Sequence, residues 1–344
     1  MTTPTRVPLS VLDLAPIRQG GTAAQALEQT VRLAAHAEAL GYTRFWLAEH
    51  HNIPGIASSA TAVLIGRVAA ATQRIRVGSG GIMLPNHAPL VVAEQFGTLE
   101  ALFPGRIDLG LGRAPGADMQ TAHALRRAQA GGGDFPSDLQ ELRGYLAPAA
   151  PGQRVRAVPG EGSDLPIYLL GSSTYSAQLA AHLGLGFAFA AHFAPQAMLE
   201  AFDLYRSGFR PSEQLQAPHA IVGAYVVVAD TDDEARRVFS STQQKHTWLI
   251  RGRPQATAPP VDDIDEFWTP RERASIGIQL GEAVVGDPGT VHAGVEALLA
   301  RTGADEVIVA TDAYDFTARL RSYELLAELW GLDGAAAAQA AVTS

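Results

Sequence analysis

The run Gly41-Tyr-Thr-Arg44-Phe-Trp-Leu-Ala48-Glu49-His50-His51 decides how the rest of the chain is read. Residues 44–48 read as a strand. The preceding residues, 23–40, read as an amphipathic helix, and Gly41 stands in the position where a helix closes in a left-handed residue. Residues 7–12, ahead of that helix, read as another strand. Downstream, residues 59–71 read as a helix with Ser58 or Ser59 as its N-cap. Residues 75–80 are a third strand, 89–102 a helix opened by proline, and 107–111 a fourth strand.

The second half repeats the alternation. Residues 167–170, 187–190, 220–228 and 306–310 read as strands five to eight. Residues 174–183, 195–207, 232–240, 291–302 and 315–329 read as helices. Strands this apolar, each followed by a helix, imply a parallel sheet covered by helices. Eight such units predict an α/β fold closed into a (β/α)8 TIM barrel, with an open doubly wound sheet as the alternative. The expected organisation is one domain over residues 1–333 and a frayed tail over 334–344, which holds four consecutive alanines.

Two stretches break the alternation. One begins at 131–133 and runs to 166, interrupted by a helix expected at 137–146. The other, 243–281, carries Pro254, Pro259, Pro260 and Pro270. It follows strand seven, which in a barrel places it over the catalytic mouth as an active-site lid. A solvated loop is the plainer reading.

Composition narrows the class. Of 344 residues, 47% are hydrophobic, enough for a large core, and 18% are charged, too few for a disordered chain. The formal net charge of −9 makes nucleic acid and anionic membrane surfaces unexpected partners. Cysteine is absent, which excludes disulfides, thiolate metal sites and a cysteine nucleophile. Residues 1–16 show no secretion signal, so a cytoplasmic protein is expected. The stretch between Asp164 and Glu200 has no charged residue, but its glycines, Pro195 and polar residues suit a buried strand–helix–strand passage better than a membrane span.

Four motifs carry the candidate chemistry, all at predicted strand ends. Glu49, His50 and His51 place an acid and two imidazoles where a barrel presents catalytic groups. Imidazole moves protons near neutral pH, and a carboxylate can fix its tautomer. Adjacent histidines on a strand face opposite ways, so no metal site is expected. Val77-Gly-Ser-Gly80-Gly81-Ile-Met-Leu-Pro85 ends strand three; paired glycines there allow a flat ligand close approach, although an ordinary tight turn explains them too. Gly105-Arg-Ile-Asp-Leu-Gly-Leu-Gly112-Arg113-Ala-Pro115-Gly116 puts a guanidinium beyond strand four, where it could fork onto a phosphate or carboxylate. Pro166-Ile-Tyr-Leu-Leu-Gly171-Ser172-Ser173-Thr-Tyr175-Ser176 turns directly into a helix, and such a helix start favours an anion. Strands four and five are neighbours in a barrel, so Arg113 and the serine turn could grip one phosphate. No Walker loop, Rossmann glycine triplet or Gly-x-Ser-x-Gly elbow is present.

In order and spacing, these motifs resemble the bacterial luciferase-like monooxygenases, closest to the FMN-type branch with the luciferase α-chain. The resemblance is strongest over residues 7–127, resumes at 164–230 and returns at 284–330. It implies a barrel that binds reduced FMN or the deazaflavin F420. Gly80 and Gly81 would match a bulge, often with a cis peptide, that supports the isoalloxazine. Gly112, Arg113, Gly171, Ser172, Ser173 and Ser176 would match the phosphate site. His50 would match the catalytic histidine, flanked by Glu49 and His51. Light-emitting members carry a cysteine just before the matching arginine; Gly112 stands there and counts against light emission. The implied activity is oxidation of a small organic substrate with O2, the reduced flavin coming from a separate reductase. F420-dependent hydride transfer and a non-catalytic flavin-binding protein are the alternatives. A homodimer is suggested by the family only.

Overall fold

The computed structural model describes residues 7–113, 119–125 and 134–334. All but Gly334 of the expected tail 334–344, the glycines at 131–133 and the 114–116 end of the Arg113 motif lie outside these residues. Among the described residues there are ten strands: β1 (Leu9–Asp13), β2 (Arg44–Leu47), β3 (Arg76–Ser79), β4 (Ile82–Met83), β5 (Ile107–Gly112), β6 (Ile167–Gly171), β7 (Gly186–Phe189), β8 (Ala220–Val228), β9 (Val284–Gly286) and β10 (Glu306–Ala310). The helices between and after them are α1 (Ala23–Leu40), α2 (Thr61–Ala69), α3 (Pro89–Leu102), α4 (Met119–Ala124), α5 (Phe135–Leu146), α6 (Thr174–Leu183), α7 (Met198–Ser207), α8 (Asp232–Ile250), α9 (Pro270–Gln279), α10 (Pro288–Thr302) and α11 (Phe316–Trp330).

Eight strands close a parallel ring in the order β1-β2-β3-β5-β6-β7-β8-β10, with β10 returning to β1. This is the expected (β/α)8 barrel. Alternate residues along a strand serve two cores. Val11, Phe45, Leu109, Leu169 and Val309 pack outward under the helices. Leu12, Trp46, Tyr168, Ala188 and Ile308 pack inside the barrel. Helix α1 shows how local sequence sets the frame. Thr22 accepts from the Gln25 N–H while the Gln25 side chain accepts from the Thr22 N–H, a capping box. Gly41, at φ 92°, closes the helix.

Several boundaries differ from expectation. Ser58 and Ser59 do not cap α2; its N-cap is Ala60, and the Ser58 hydroxyl donates instead to the Ala48 carbonyl, tying the loop to the end of β2. Helix α8 runs to Ile250 rather than stopping at 240. Its polar second half lacks an apolar period, yet Ser241, Thr242, Gln244, Lys245, His246 and Thr247 are all buried by the barrel mouth. Tertiary burial, not local pattern, holds that helix. The 243–281 stretch therefore carries the end of α8 and all of α9, which opens with a Thr269–Glu272 capping box; beyond it, β9 extends the sheet by pairing with the end of β8. No described helix is long and apolar enough to cross a membrane.

Candidate functional site

A cavity of about 690 Å³ opens at the C-terminal ends of the barrel strands. Its lining includes His50, His51, Gly80, Gly81, Gly112, Arg113, Gly171, Ser172, Ser173 and Ser176, so ten of the sequence-predicted positions meet at one place. Glu49, the eleventh, sits behind the wall. A second, open groove of about 970 Å³ between α8 and α9 shares no lining residue with this cavity.

The glycine wall is built from a bulge. Gly78 pairs with Asp108 and Ile82 with Leu111, so three residues, 79–81, face two, 109–110. The Gly80–Gly81 peptide is cis. A Cβ on Gly81 would stand 2.7 Å from the Gly110 carbonyl oxygen, so that place admits no side chain, and one on Gly80 would stand 2.7 Å from Leu12 Cδ1 and force that side chain to move.

Glu49 supports this wall from behind. Its carboxylate lies 2.8 Å from His51 Nε2 and 2.9 Å from His87 Nε2, and accepts from the Met83 N–H at 3.2 Å. Burial alone would raise its pKa, but the hydrogen bonds from His87 and His51 bring it below the usual carboxylate value. An ionised carboxylate only accepts, so both imidazoles present Nε2–H to it. His51 and His87 are thereby oriented, and the strand after the bulge is pinned.

His50 is placed differently. Its Nδ1 is buried without a partner. Burial, with the Lys245 charge nearby, pushes it down to about 4, so the ring is neutral at neutral pH. His192, just after β7, has its buried Nδ1 against Gly223 and is pushed down by burial to about 4.

The anion end lies across β5 and β6. The Arg113 guanidinium stands 4.2 Å from the centre of the Tyr175 ring. Ser173 is the N-cap of α6 but spends no side-chain hydrogen bond on the cap. The opposite wall, from β8, β10 and α8, carries a chain that the sequence reading missed. Lys245 Nζ donates to Asp312 at 2.7 Å, the Tyr225 hydroxyl donates to the same carboxylate at 3.3 Å, and His246 Nε2 lies 3.4 Å from the Tyr225 oxygen. Because the Tyr225 proton goes to Asp312, His246 must supply the Nε2–H.

The luciferase-like monooxygenase family model matches residues 7–306. The chain belongs to that family. It is 51% identical over 320 residues to a luciferase-like monooxygenase of Escherichia coli, covering 93% of this chain and 96% of the relative. It is 39% identical to the N-acetyl-S-alkylcysteine monooxygenase of Bacillus subtilis, covering 71% of this chain and 75% of that one. Among solved structures, apo-MsnO8 superposes with a TM-score of 0.84 at 38% identity, covering 95% of this chain and 98% of the other. The FMN complex of the oxygenating constituent of 3,6-diketocamphane monooxygenase from Pseudomonas putida shares the fold at a TM-score of 0.70 and 20% identity, over 94% and 97% of the two chains.

The residues present suit a flavin of this family's kind. The glycine bulge presents bare backbone to the cavity, its side-chain positions being blocked by Leu12 and by the Gly110 backbone, and the serine turn with Arg113 suits a phosphate. Among the described residues no group of three His, Asp or Glu side chains is arranged to hold a metal ion. Of the wall that sequence reading missed, Lys245 had a visible signal: of the 26 Lys and Arg residues it is the one lysine. His87, Tyr225, His246 and Asp312 had none, being single residues in unrelated segments.

Proposed function

We propose that the chain is a flavin-dependent monooxygenase that uses reduced FMN, delivered by a separate flavin reductase, and O2 to oxidise a small organic substrate. The observation that carries this reading is one cavity with two unlike ends: a glycine cradle beside an anion site, and an apolar chamber with neutral buried imidazoles. The identity to a relative named as a monooxygenase of N-acetyl-S-alkylcysteines supports oxygenation over hydride transfer.

When bound, reduced FMN supplies the two electrons with which dioxygen is split, one oxygen atom going to substrate and the other to water. The protein's share is placement and shielding. Gly80 and Gly81 hold the ring system, while Gly112, Arg113, Gly171, Ser172, Ser173 and Ser176 hold the phosphate. His50, neutral at working pH and lining the cavity, takes or returns a proton. Glu49 orients His51 and fixes the bulge. Leu249, Gly252, Pro254 and Gln255, from the segment after β8, border the cavity and exclude water.

Anaerobic titration with reduced FMN and, separately, reduced F420, followed by turnover of a substrate panel under ¹⁸O2, tests the reading. Tight binding of reduced FMN and one labelled oxygen in product is the expected result. Preference for F420 without oxygen uptake would favour hydride transfer, and binding of neither cofactor would remove the flavin assignment.

A further inference from the structure

Lys245 stands out twice. It is the one lysine in a chain whose other 25 basic residues, 26 less this one, are arginines. It is also buried, lines the cavity and sits on helix α8 rather than on a barrel strand. The two other buried basic side chains, Arg44 and Arg319, pair with carboxylates as arginines, so burial of an ion pair does not by itself call for lysine in this protein. What lysine brings is a compact tetrahedral ammonium with three donors. Asp312 takes one at 2.7 Å, and no other described residue accepts from it. An ammonium with donors to spare beside a cavity calls for an acceptor from the ligand.

The charge of this wall says which acceptor. Lys245 is balanced by Asp312, and the nearby Arg319 is balanced by Asp13 at 2.6 Å. Tyr225 and His246 are tied into the same chain as neutral groups. An incoming carboxylate would therefore add an uncompensated charge to a buried neutral wall, whereas a carbonyl-type oxygen would satisfy a donor and add none. In the ring of strands, β8 and β10 lie across from β3 and β5, so this anchor faces the glycine bulge and Arg113. Resting on the flavin reading of the cavity, we propose that Lys245 is the specificity-determining residue of the substrate chamber and selects an uncharged molecule through a carbonyl-type oxygen.

The test uses three probes with one ring and different heads: cyclohexanone, cyclohexanecarboxamide and cyclohexanecarboxylate. Binding to the FMN-loaded full chain is followed by calorimetry or ligand-observed NMR, with reduced FMN affinity measured alongside. The neutral probes should bind at least about tenfold more tightly than the carboxylate, the loss expected for a buried unpaired charge. Lys245→Met should weaken binding of the neutral probes about tenfold or more and leave FMN affinity unchanged. Because Lys245→Met strands Asp312, the pair variant Lys245→Met/Asp312→Asn is measured too and should behave alike. Equal or tighter binding of the carboxylate, neutral-probe binding that survives in the pair variant, or no probe binding at all overturns the proposal while FMN binding stands. Loss of FMN binding in the unmodified protein would overturn the flavin reading and this proposal with it.

Discussion

The barrel carries charged side chains at both ends, and the two sets are arranged differently. At the N-terminal end, Arg44 binds Asp108 at 2.8 Å and Glu306 at 2.7 Å, and Arg76 binds Asp108 at 2.6 Å. The Trp46 indole N–H also donates to Asp108, at 2.9 Å, and His219 lies 3.2 Å from Glu306. Every charge there has a partner inside the protein. At the C-terminal mouth, among the described residues, the buried Nδ1 of His50 has no partner and no carboxylate pairs with Arg113. Satisfied groups specify a structure; unsatisfied ones at a cavity are available to a ligand. The two ends of the same strands thus divide stability from function.

Replacing one group at each end should separate the two roles. At the mouth, His50→Ala should lower turnover about 10²- to 10⁴-fold, the range of a lost proton carrier, while melting temperature and FMN affinity change little. Steady-state rates with a turned-over substrate check this; a loss under tenfold would count against His50 in that role. At the other end, Asp108→Asn leaves Arg44 and Arg76 partly unbalanced in the interior. Urea unfolding should show a loss of about 3–5 kcal/mol, with turnover per folded molecule unchanged. An Asp108→Asn protein of full stability but low turnover would invert the comparison.

The same division explains which parts of the molecule are legible in the sequence. The mouth residues on β2, β3, β5 and β6 sit in runs where strand, glycine or serine, and helix follow one another, and neighbouring strands bring the runs together. Local order alone therefore places the Gly80–Gly81 and Gly171–Ser176 turns at the mouth. The facing wall leaves no such trace. Tyr225 lies in an all-buried strand that reads as core, and Lys245 and His246 lie in a polar stretch that reads as loop. Asp312 follows β10 with no motif around it. Only tertiary packing, which buries the polar half of α8, joins them. The N-terminal network is equally hidden, since Arg44 is 64 residues from Asp108 and 262 from Glu306 in its hydrogen-bonded pairs.

Acid should weaken the mouth before it weakens the opposite end. His50, His192 and His246 are each pushed down to about 4, chiefly by burial, whereas an imidazole in the unfolded chain titrates near its ordinary 6.5. Between those values the unfolded chain holds more protons. The stability gained by keeping the rings neutral is therefore complete above pH 6.5 and is lost as pH falls toward 4. Each ring contributes a slope of up to about 1.4 kcal/mol per pH unit. Glu306 and Asp312, held below their ordinary values, act in the same direction but lower, under pH 4.5. Unfolding measured from pH 5 to 6.5 isolates the imidazoles, and His192→Gln should remove one proton from the slope. A flat profile would mean that the rings take up protons in the fold as they do in the unfolded chain, so that burial does not hold them neutral.

The smallest expected effect tests how the anion end is held ready. Arg113 stacks on Tyr175, the second residue of the helix whose start forms the other half of that end. Stacking uses the face of the guanidinium and leaves its N–H edge for a phosphate. Tyr175→Leu removes the ring that orients Arg113, so reduced FMN should bind roughly three- to tenfold more weakly, the size of a partly exposed cation–π contact. Reduced riboflavin, which has no phosphate, should bind as before, and Tyr175→Phe should restore FMN affinity because the ring, not the hydroxyl, makes the contact. Were both flavins weakened alike, Tyr175 would be supporting the helix rather than the arginine, and the phosphate grip would have to come from the serine turn alone.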